Sequence, residues 1–464
     1  MRRLTVILAA AAILSLPALP ASNTGGLTDT VNDILRQAVE SSHAPSISVA
    51  IVQNGRLVYA NAAGYASLKP ERKATAETRY AVGSISKQFT VAAILLAVEQ
   101  GKMSLDDYVS KYYPDLTRAN EITIRELLSH TSGYEDYAPQ DYMVPAWTKP
   151  LSPDALLNRW AKKPLDFDPG TKWQYSNTNF VLAGRIFEKA MGQPLVPFLQ
   201  KQIFDPLGMS TAGDCIADKS PEDAVAYTRY ALGPPRPALR EGSGWYFAAG
   251  ELCMTPSDLA KWDIAFLNKR ILNKDSYREF TTKVKLKNGG STHYALGLEL
   301  GDREGVPAVY HDGEVSGFLA ENVVFPSKNT AVVVCSNQDG TAIIFSVSRR
   351  ITHLLFSSEP EASADELAQV RGILTGLAQG KIDRALFTSN ANFYFNKQAL
   401  DDYRKSLSNL GPLQSVTRLR ESSRGGMSHR TYKAVFQNKA VNLNVYVTSE
   451  GKYEQFLVEE VFSQ

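Results

Sequence analysis

The chain has 464 residues, 44% hydrophobic, 21% charged and 10% aromatic, with 50 Lys and Arg against 48 Asp and Glu. That length accommodates about two to four domains with buried cores, and the composition excludes a disordered or collagen-like chain. The formal charge of +2 belongs to the N-terminus. Met1-Arg2-Arg3 is followed by an apolar run from Leu4 to Leu16, then Pro17, Pro20 and the small Ala21. A basic start, a short apolar stretch and a small residue at the cut predict a secretory signal peptide over residues 1–21. The prolines interrupt the run before it is long enough to span a bilayer. Cleavage there removes two bases and no acid, leaving 48 of each sign. A neutral chain has no electrostatic footprint for nucleic acid, and no later stretch is apolar enough for a membrane anchor.

Next come β-rich runs, Ser46–Val52 and Arg56–Gly64, flanking Gln53-Asn54-Gly55. Asn-Gly between apolar runs predicts a hairpin, because both residues tolerate positive φ. From Ser84 to about Leu207 the pattern is helical: Phe89, Ala92, Ala93 and Leu96 recur at helical spacing, and Gly101 supplies a stop. Thr123 to Glu126 reads as a capping box, and Asn177 to Met191 as a helix stopped by Gly192. Strands are predicted at Tyr294–Leu300, Val306–His311, Phe318–Phe325 and Thr330–Ser336, then a helix from about Thr341 to Phe356. The fold class is α/β of the α+β type: an antiparallel sheet flanked by helices, with an inserted all-helical lobe.

The polar, Pro-containing stretch 357–363 is the expected linker, which places one domain at 27–356 and a smaller α+β module at 364–464. In the module, Ser363 to Glu366 reads as a second capping box. Leu367, Val370, Leu374 and Leu377 form an apolar stripe. Gly372, Gly376 and Gly380 suggest close helix packing. A second helix is expected at about Gln398–Leu410, then four β-like runs, with Val441, Leu443, Val445 and Val447 alternating with polar residues.

Cys215, Cys253 and Cys335 are an odd number with no C-x-x-C, so neither a disulfide framework nor a zinc site is indicated. Cys335 reads as part of a buried strand. Cys215 and Cys253 could equally pair or remain separate thiols. The six histidines include no H-E-x-x-H, which disfavours a metal hydrolase.

Three elements could carry chemistry. In Ser84-Ile85-Ser86-Lys87, residues three apart share a helix face, so a base can reach the serine hydroxyl. Ser449 to Lys452 matches the same pattern in a polar turn and is read as structural. Tyr175-Ser176-Asn177 sits where a loop enters a helix, and a tyrosinate there requires a nearby cation such as Lys87. Tyr59-Ala60-Asn61 and Tyr394-Phe395-Asn396 match it too, within or beside β-rich segments, and are read as structural. His311-Asp312-Gly313 ends a strand whose glycine permits close substrate approach and whose backbone can face an oxyanion.

In that order, with Tyr80–Thr90, Leu127–Gly133, Phe167–Asn177 and His311–Phe318 around them, these motifs resemble the β-lactamase-related serine hydrolase family, over about Leu27 to Phe356. The family includes class C β-lactamases, D,D-peptidases, D-aminopeptidases and esterases. The resemblance implies a serine β-lactamase/transpeptidase-like fold and acyl transfer through Ser84, with Lys87 and Tyr175 sharing acid–base work and the order of proton transfer left open. It implies substrate-binding roles for Asn177, His311, Gly313 and Glu314, with the N–H groups of Ser84 and Glu314 facing the oxyanion, and no metal or other cofactor. Many members carry Lys where this chain has His311, and a neutral imidazole is a poor partner for a substrate carboxylate. A small ester or D-amino-acid peptide is therefore the expected substrate, in the periplasm or secreted. The alternatives are a penicillin-recognising sensor with little turnover, or a true β-lactamase. The loops Tyr134–Lys149 and Arg229–Tyr246 are expected to shape the pocket, and the second, rich in Gly and Pro, to rim the cleft. The C-terminal module resembles the NTF2-like fold in pattern, and such modules bind small ligands or mediate homodimers.

Overall fold

The structure is a computed structural model and describes residues 24–140, 142–356 and 362–460. The expected signal peptide and residues 357–361 of the expected linker lie outside the described residues. The chain divides into two compact units, before and after Phe356/Ser357.

The first unit is built on a seven-stranded antiparallel sheet. Its strands are β1 (Ser46–Gln53), β2 (Arg56–Leu68), β3 (Glu71–Lys73), β4 (Glu299–Arg303), β5 (Val306–Val315), β6 (Phe318–Phe325) and β7 (Thr330–Ser336), in the spatial order β3-β2-β1-β7-β6-β5-β4. Asn54 and Gly55 both take positive φ, 50° and 69°, and Gln53 faces Arg56 across the expected turn. The central strands are buried on both faces, which explains their almost unbroken apolar sequence. Ile47, Val49 and Ile51 of β1 meet Val332 and Val334 of β7 in one core. That core lies under helix α1 (Thr24–Ser42) and a C-terminal helix over Ile343–Phe356. The alternate residues Ala50, Val52, Val333 and Cys335 face the second core, shared with the helical lobe. Helix α1 was not anticipated, although Val31, Ile34, Leu35 and Ala38 form its buried stripe.

In the helical lobe, α2 (Ser86–Glu99) is buried along most of its length, and α3 (Asn177–Met191) ends at Gly192 with φ 64°. The Thr123–Glu126 capping box is present with both reciprocal bonds. One strand expectation needs correction. Tyr294–Leu298 is not strand: Gly297 takes φ 65°, and the segment turns over α2, where an added Cβ would meet Val91 at 2.8 Å. Cys215 and Cys253 form a disulfide tying the short strands Gly213–Asp214 and Leu252–Met254, and Cys335 is buried and free.

Among the described residues, the second unit has three α-helices, Ala364–Ala378, Ser389–Tyr394 and Lys397–Ser408, and a four-stranded antiparallel meander from Leu413 to Glu460. Val441, Leu443, Val445 and Val447 face its core with Val370, Leu374 and Leu377. Ser363 caps its helix, but Glu366 does not return the bond: its carboxylate accepts from Arg418 and Tyr432 instead. The glycines pack closely only in part: an added Cβ at Gly372 would meet nothing, one at Gly376 would meet the Lys381 carbonyl at 2.8 Å, and Gly380, a left-handed turn residue just past the helix, lies against Leu400 and Arg404 of the last helix. Tyr394-Phe395-Asn396 lies between two helices rather than in β structure, with Asn396 capping the second. Among the described residues, no helix is long and apolar enough to cross a membrane.

Candidate active site

Ser84 lies in a tight turn, Gly83–Ile85, that runs directly into α2. This turn packs against the edge of β5. Strand β4 pairs with β5 only as far as Tyr310, so from His311 onward that edge faces Ser84 instead of a strand. The fit leaves no room for side chains. A Cβ on Gly313 would lie 1.9 Å from the Val82 carbonyl and 3.0 Å from Ser84 N, and one on Gly83 would lie 2.7 Å from Glu314 N. The glycines therefore bring the backbone nitrogens of Ser84 and Glu314 together.

The Ser84 hydroxyl is contacted from two sides. Lys87 Nζ donates to Ser84 Oγ at 2.9 Å, and the Tyr175 hydroxyl donates at 2.7 Å. Lys87 is fully buried and also donates to Asn177 Oδ1 and to the Ala249 carbonyl, both at 2.8 Å. Burial pulls its ammonium down to about 7, against the opposing pull of Asp136 and Asp312. The same burial pushes the Tyr175 phenol well above 10, although the bond to Ser84 favours the phenolate. A neutral amine has two N–H donors and one lone pair. With Asn177 and Ala249 accepting the two protons, the lone pair is left for Ser84.

Asn177 opens α3, and its side-chain oxygen accepts from Lys87 at the wall of the cleft. The His311 ring is 2% exposed and has both nitrogens engaged: Nε2 lies 2.8 Å from the Tyr294 hydroxyl, and Nδ1 contacts the Asp312 carbonyl. Burial lowers its pKa to about 4, so the ring is neutral near pH 7. A carbonyl can only accept, so Nδ1 carries the proton and Nε2 accepts from Tyr294. His311 thus has no charge and no spare nitrogen for a ligand.

Several participants were not singled out as candidates from the sequence, although His130 lies within the Leu127–Gly133 stretch. Asp136 accepts from the backbone N–H of Asn177 at 3.0 Å and from its amide at 3.3 Å. His130 lies against the Tyr175 ring with centroids 4.3 Å apart, and its Nδ1 accepts from Ser176 N–H. The Ala249 carbonyl is backbone and has no residue signature at all.

The groups open on a cavity of about 540 Å³ lined by Ser84, Tyr175, Asn177, Tyr246 and Trp173, among others. The Tyr134–Lys149 loop lines it through Asp136, Ala138, Pro139, Gln140, Tyr142 and Trp147. The second loop reaches it only at Tyr246, while its Arg240–Gly244 stretch lines a neighbouring cavity of about 110 Å³. Among the described residues, Asp136, Glu299, Asp312, Glu314 and Asp339 line the main cleft, and no Lys or Arg does.

The first unit has known relatives. The Bacillus subtilis protein PbpX is 29% identical over 307 residues, covering 66% of this chain and 74% of its own length. A D-aminopeptidase of Brucella anthropi is 28% identical over 303 residues; the match covers 64% of this chain and only 57% of that enzyme. Among solved structures, a D-stereospecific amidohydrolase from Streptomyces superposes with a TM-score of 0.60 at 27% identity, over 71% of this chain and 98% of its own. An octameric penicillin-binding protein homologue from Pyrococcus abyssi shares the fold over 93% of this chain and 95% of its own, with a TM-score of 0.62 at 22% identity. The Beta-lactamase family model matches residues 31–351, and the chain belongs to that family.

Proposed function

We propose that this protein is an exported serine hydrolase that cleaves small esters or amides through an acyl-enzyme on Ser84. The observation that carries this reading is Ser84 Oγ held between Lys87 Nζ at 2.9 Å and the Tyr175 hydroxyl at 2.7 Å, beside the cleft. Ser84 Oγ attacks the carbonyl carbon while its proton passes to neutral Lys87. The resulting oxyanion faces the N–H groups of Ser84 and Glu314. Collapse breaks the ester or amide bond, and the leaving group takes the proton back from Lys87 by way of the Tyr175 hydroxyl. Water then attacks the acyl-enzyme in the reverse sense and restores Ser84.

The cleft favours acyl donors without a carboxylate beside the scissile bond. Among the described residues its lining carries five carboxylates and no Lys or Arg, and His311 is neutral. This argues against penicillins as natural substrates and for a neutral or amine-bearing ester, amide or D-amino-acid peptide, in keeping with the named activity of the Brucella relative. The Cys215–Cys253 disulfide supports an oxidising compartment, periplasmic or extracellular.

The test combines turnover with labelling. Wild type should hydrolyse a chromogenic short-chain ester and take a fluorophosphonate label on Ser84, located by peptide mass spectrometry. Ser84→Ala should lose both. Undiminished turnover in that variant would overturn the assignment, and stable acylation without turnover would indicate a sensor instead.

A further inference from the structure

Lys87 can act on Ser84 only if its other two contacts are acceptors. The Ala249 carbonyl can do nothing else. Asn177 can present either an oxygen or an NH2 group, and the wrong choice would set N–H against N–H at 2.8 Å. Something must fix the amide. On its far side lies Asp136. The Asp136 carboxylate accepts from Asn177 Nδ2 at 3.3 Å through Oδ1 and at 3.4 Å through Oδ2, and from the Asn177 backbone N–H at 3.0 Å. A carboxylate has no donor, so it admits only the NH2 edge and turns Oδ1 towards Lys87.

Asp136 is itself held. Its Oδ1 accepts from Ala138 N–H at 3.1 Å in a local turn. It stands at the N-terminus of α3, where Ser176 makes no capping bond of its own, and a negative charge at that end is favoured by the helix dipole. The neighbouring Glu135 carbonyl accepts from Thr178 Oγ1 at 2.7 Å, so the loop is fastened to the helix at two points.

We propose that Asp136 is a positioning residue of this active site: its carboxylate locks the Asn177 amide with oxygen towards Lys87, and so aims the Lys87 lone pair at Ser84. The inference rests on the serine hydrolase reading above and extends it to a residue whose hydrogen bonds go to Asn177 and Ala138 and not to Ser84.

Asp136 also acts on Lys87 by charge. The groups facing Lys87 are Asp136, Asp312 on β5, His130, His311 and the Tyr175 ring. The two aspartates favour its ammonium, with Asp136 the larger, whereas burial opposes it. Removing the charge therefore moves Lys87 to lower pH, a readout that a purely structural role would leave alone.

The experiment compares wild type, Asp136→Asn, Asn177→Ala and the double variant, using a chromogenic short-chain ester over pH 5–9. Asp136→Asn is expected to lower kcat at least tenfold with KM little changed. The acid limb of kcat/KM should move down by half a pH unit or more. In the Asn177→Ala background the same substitution should cost less than threefold in kcat, because its target is gone. Should Asp136→Asn fail to fold, Asp136→Ser replaces it: a hydroxyl can still serve the helix terminus, but without the charge, and the same limb shift is expected. A stationary acid limb, or additive losses in the double variant, overturns the proposal. Fluorophosphonate labelling of wild type separates the two readings. No label on Ser84 defeats the hydrolase reading, whereas label on Ser84 with a stationary limb defeats the Asp136 proposal alone.

Discussion

At Ser84 the deciding question is which neighbour can take a proton near neutral pH. Both candidates are buried, and burial penalises the charged form of each. For a lysine that means a lower pKa, and Lys87 reaches about 7; for a tyrosine it means a higher one, and Tyr175 moves well above 10. Under the proposed mechanism this makes Lys87 the first base and Tyr175 the hydroxyl that relays the proton. In the proposed mechanism activity requires the deprotonated amine, so kcat/KM should fall as pH drops through about 7 in wild type. Lys87→Ala and Tyr175→Phe should each slow ester hydrolysis by ~10²-fold or more. The limb near 7 should vanish from the residual activity of Lys87→Ala; its persistence there would assign the titration to another group.

The decisive element is the open edge of β5. Strand β4 ends its pairing at Tyr310, and Gly313 lets the remaining edge close on the turn that carries Ser84. In Gly313→Ala the new methyl would stand 1.9 Å from the Val82 carbonyl, so the strand and the turn must part. That movement separates the Ser84 and Glu314 nitrogens. The expected loss is ~10²–10³-fold in kcat, the scale of a missing oxyanion donor, with the far-ultraviolet circular dichroism unchanged. Wild-type kcat in this variant would mean that the two N–H groups do not act together. Other element boundaries were legible because their causes are local. Thr123 and Glu126 are three apart and cap their helix as expected, and Asn54-Gly55 makes its turn alone. Tyr294–Leu298 misled because its apolar residues are buried by a turn over α2, which periodicity does not distinguish from a strand, whereas Glu299 and Leu300 do open β4.

For the molecule as a whole, buried acids set a pH dependence of stability. Asp263 is fully buried under the sheet, where it accepts from Asn322 Nδ2 at 2.8 Å, and burial raises its pKa to about 8. In the unfolded chain an aspartate titrates near ~3.9. Between those values the folded protein holds a proton that the unfolded chain releases, so this group's contribution to stability falls as pH rises through that window. Asp263→Asn keeps an acceptor for Asn322 and removes the titration. Its melting temperature relative to wild type should therefore climb from pH 5 to pH 8 in calorimetry. A constant difference across that range would show that Asp263 is ionised in the fold.

The amino-acid sequence alone determined the apolar runs that build the main sheet, the alternation at Val441–Val447, the Asn-Gly hairpin, the α3 boundaries and the motifs around Ser84, Tyr175 and His311. Each depends on residues a few positions apart, where spacing and propensity act directly. Only the tertiary structure decided the pairing of Cys215 with Cys253, the neutrality of His311, the lowered pKa of Lys87 and the partnership of Asp136 with Asn177. Asp136 and Asn177 are 41 positions apart, and Lys87 and Ala249 are 162 apart. Desolvation sums over everything packed around a group, and no local pattern carries that sum.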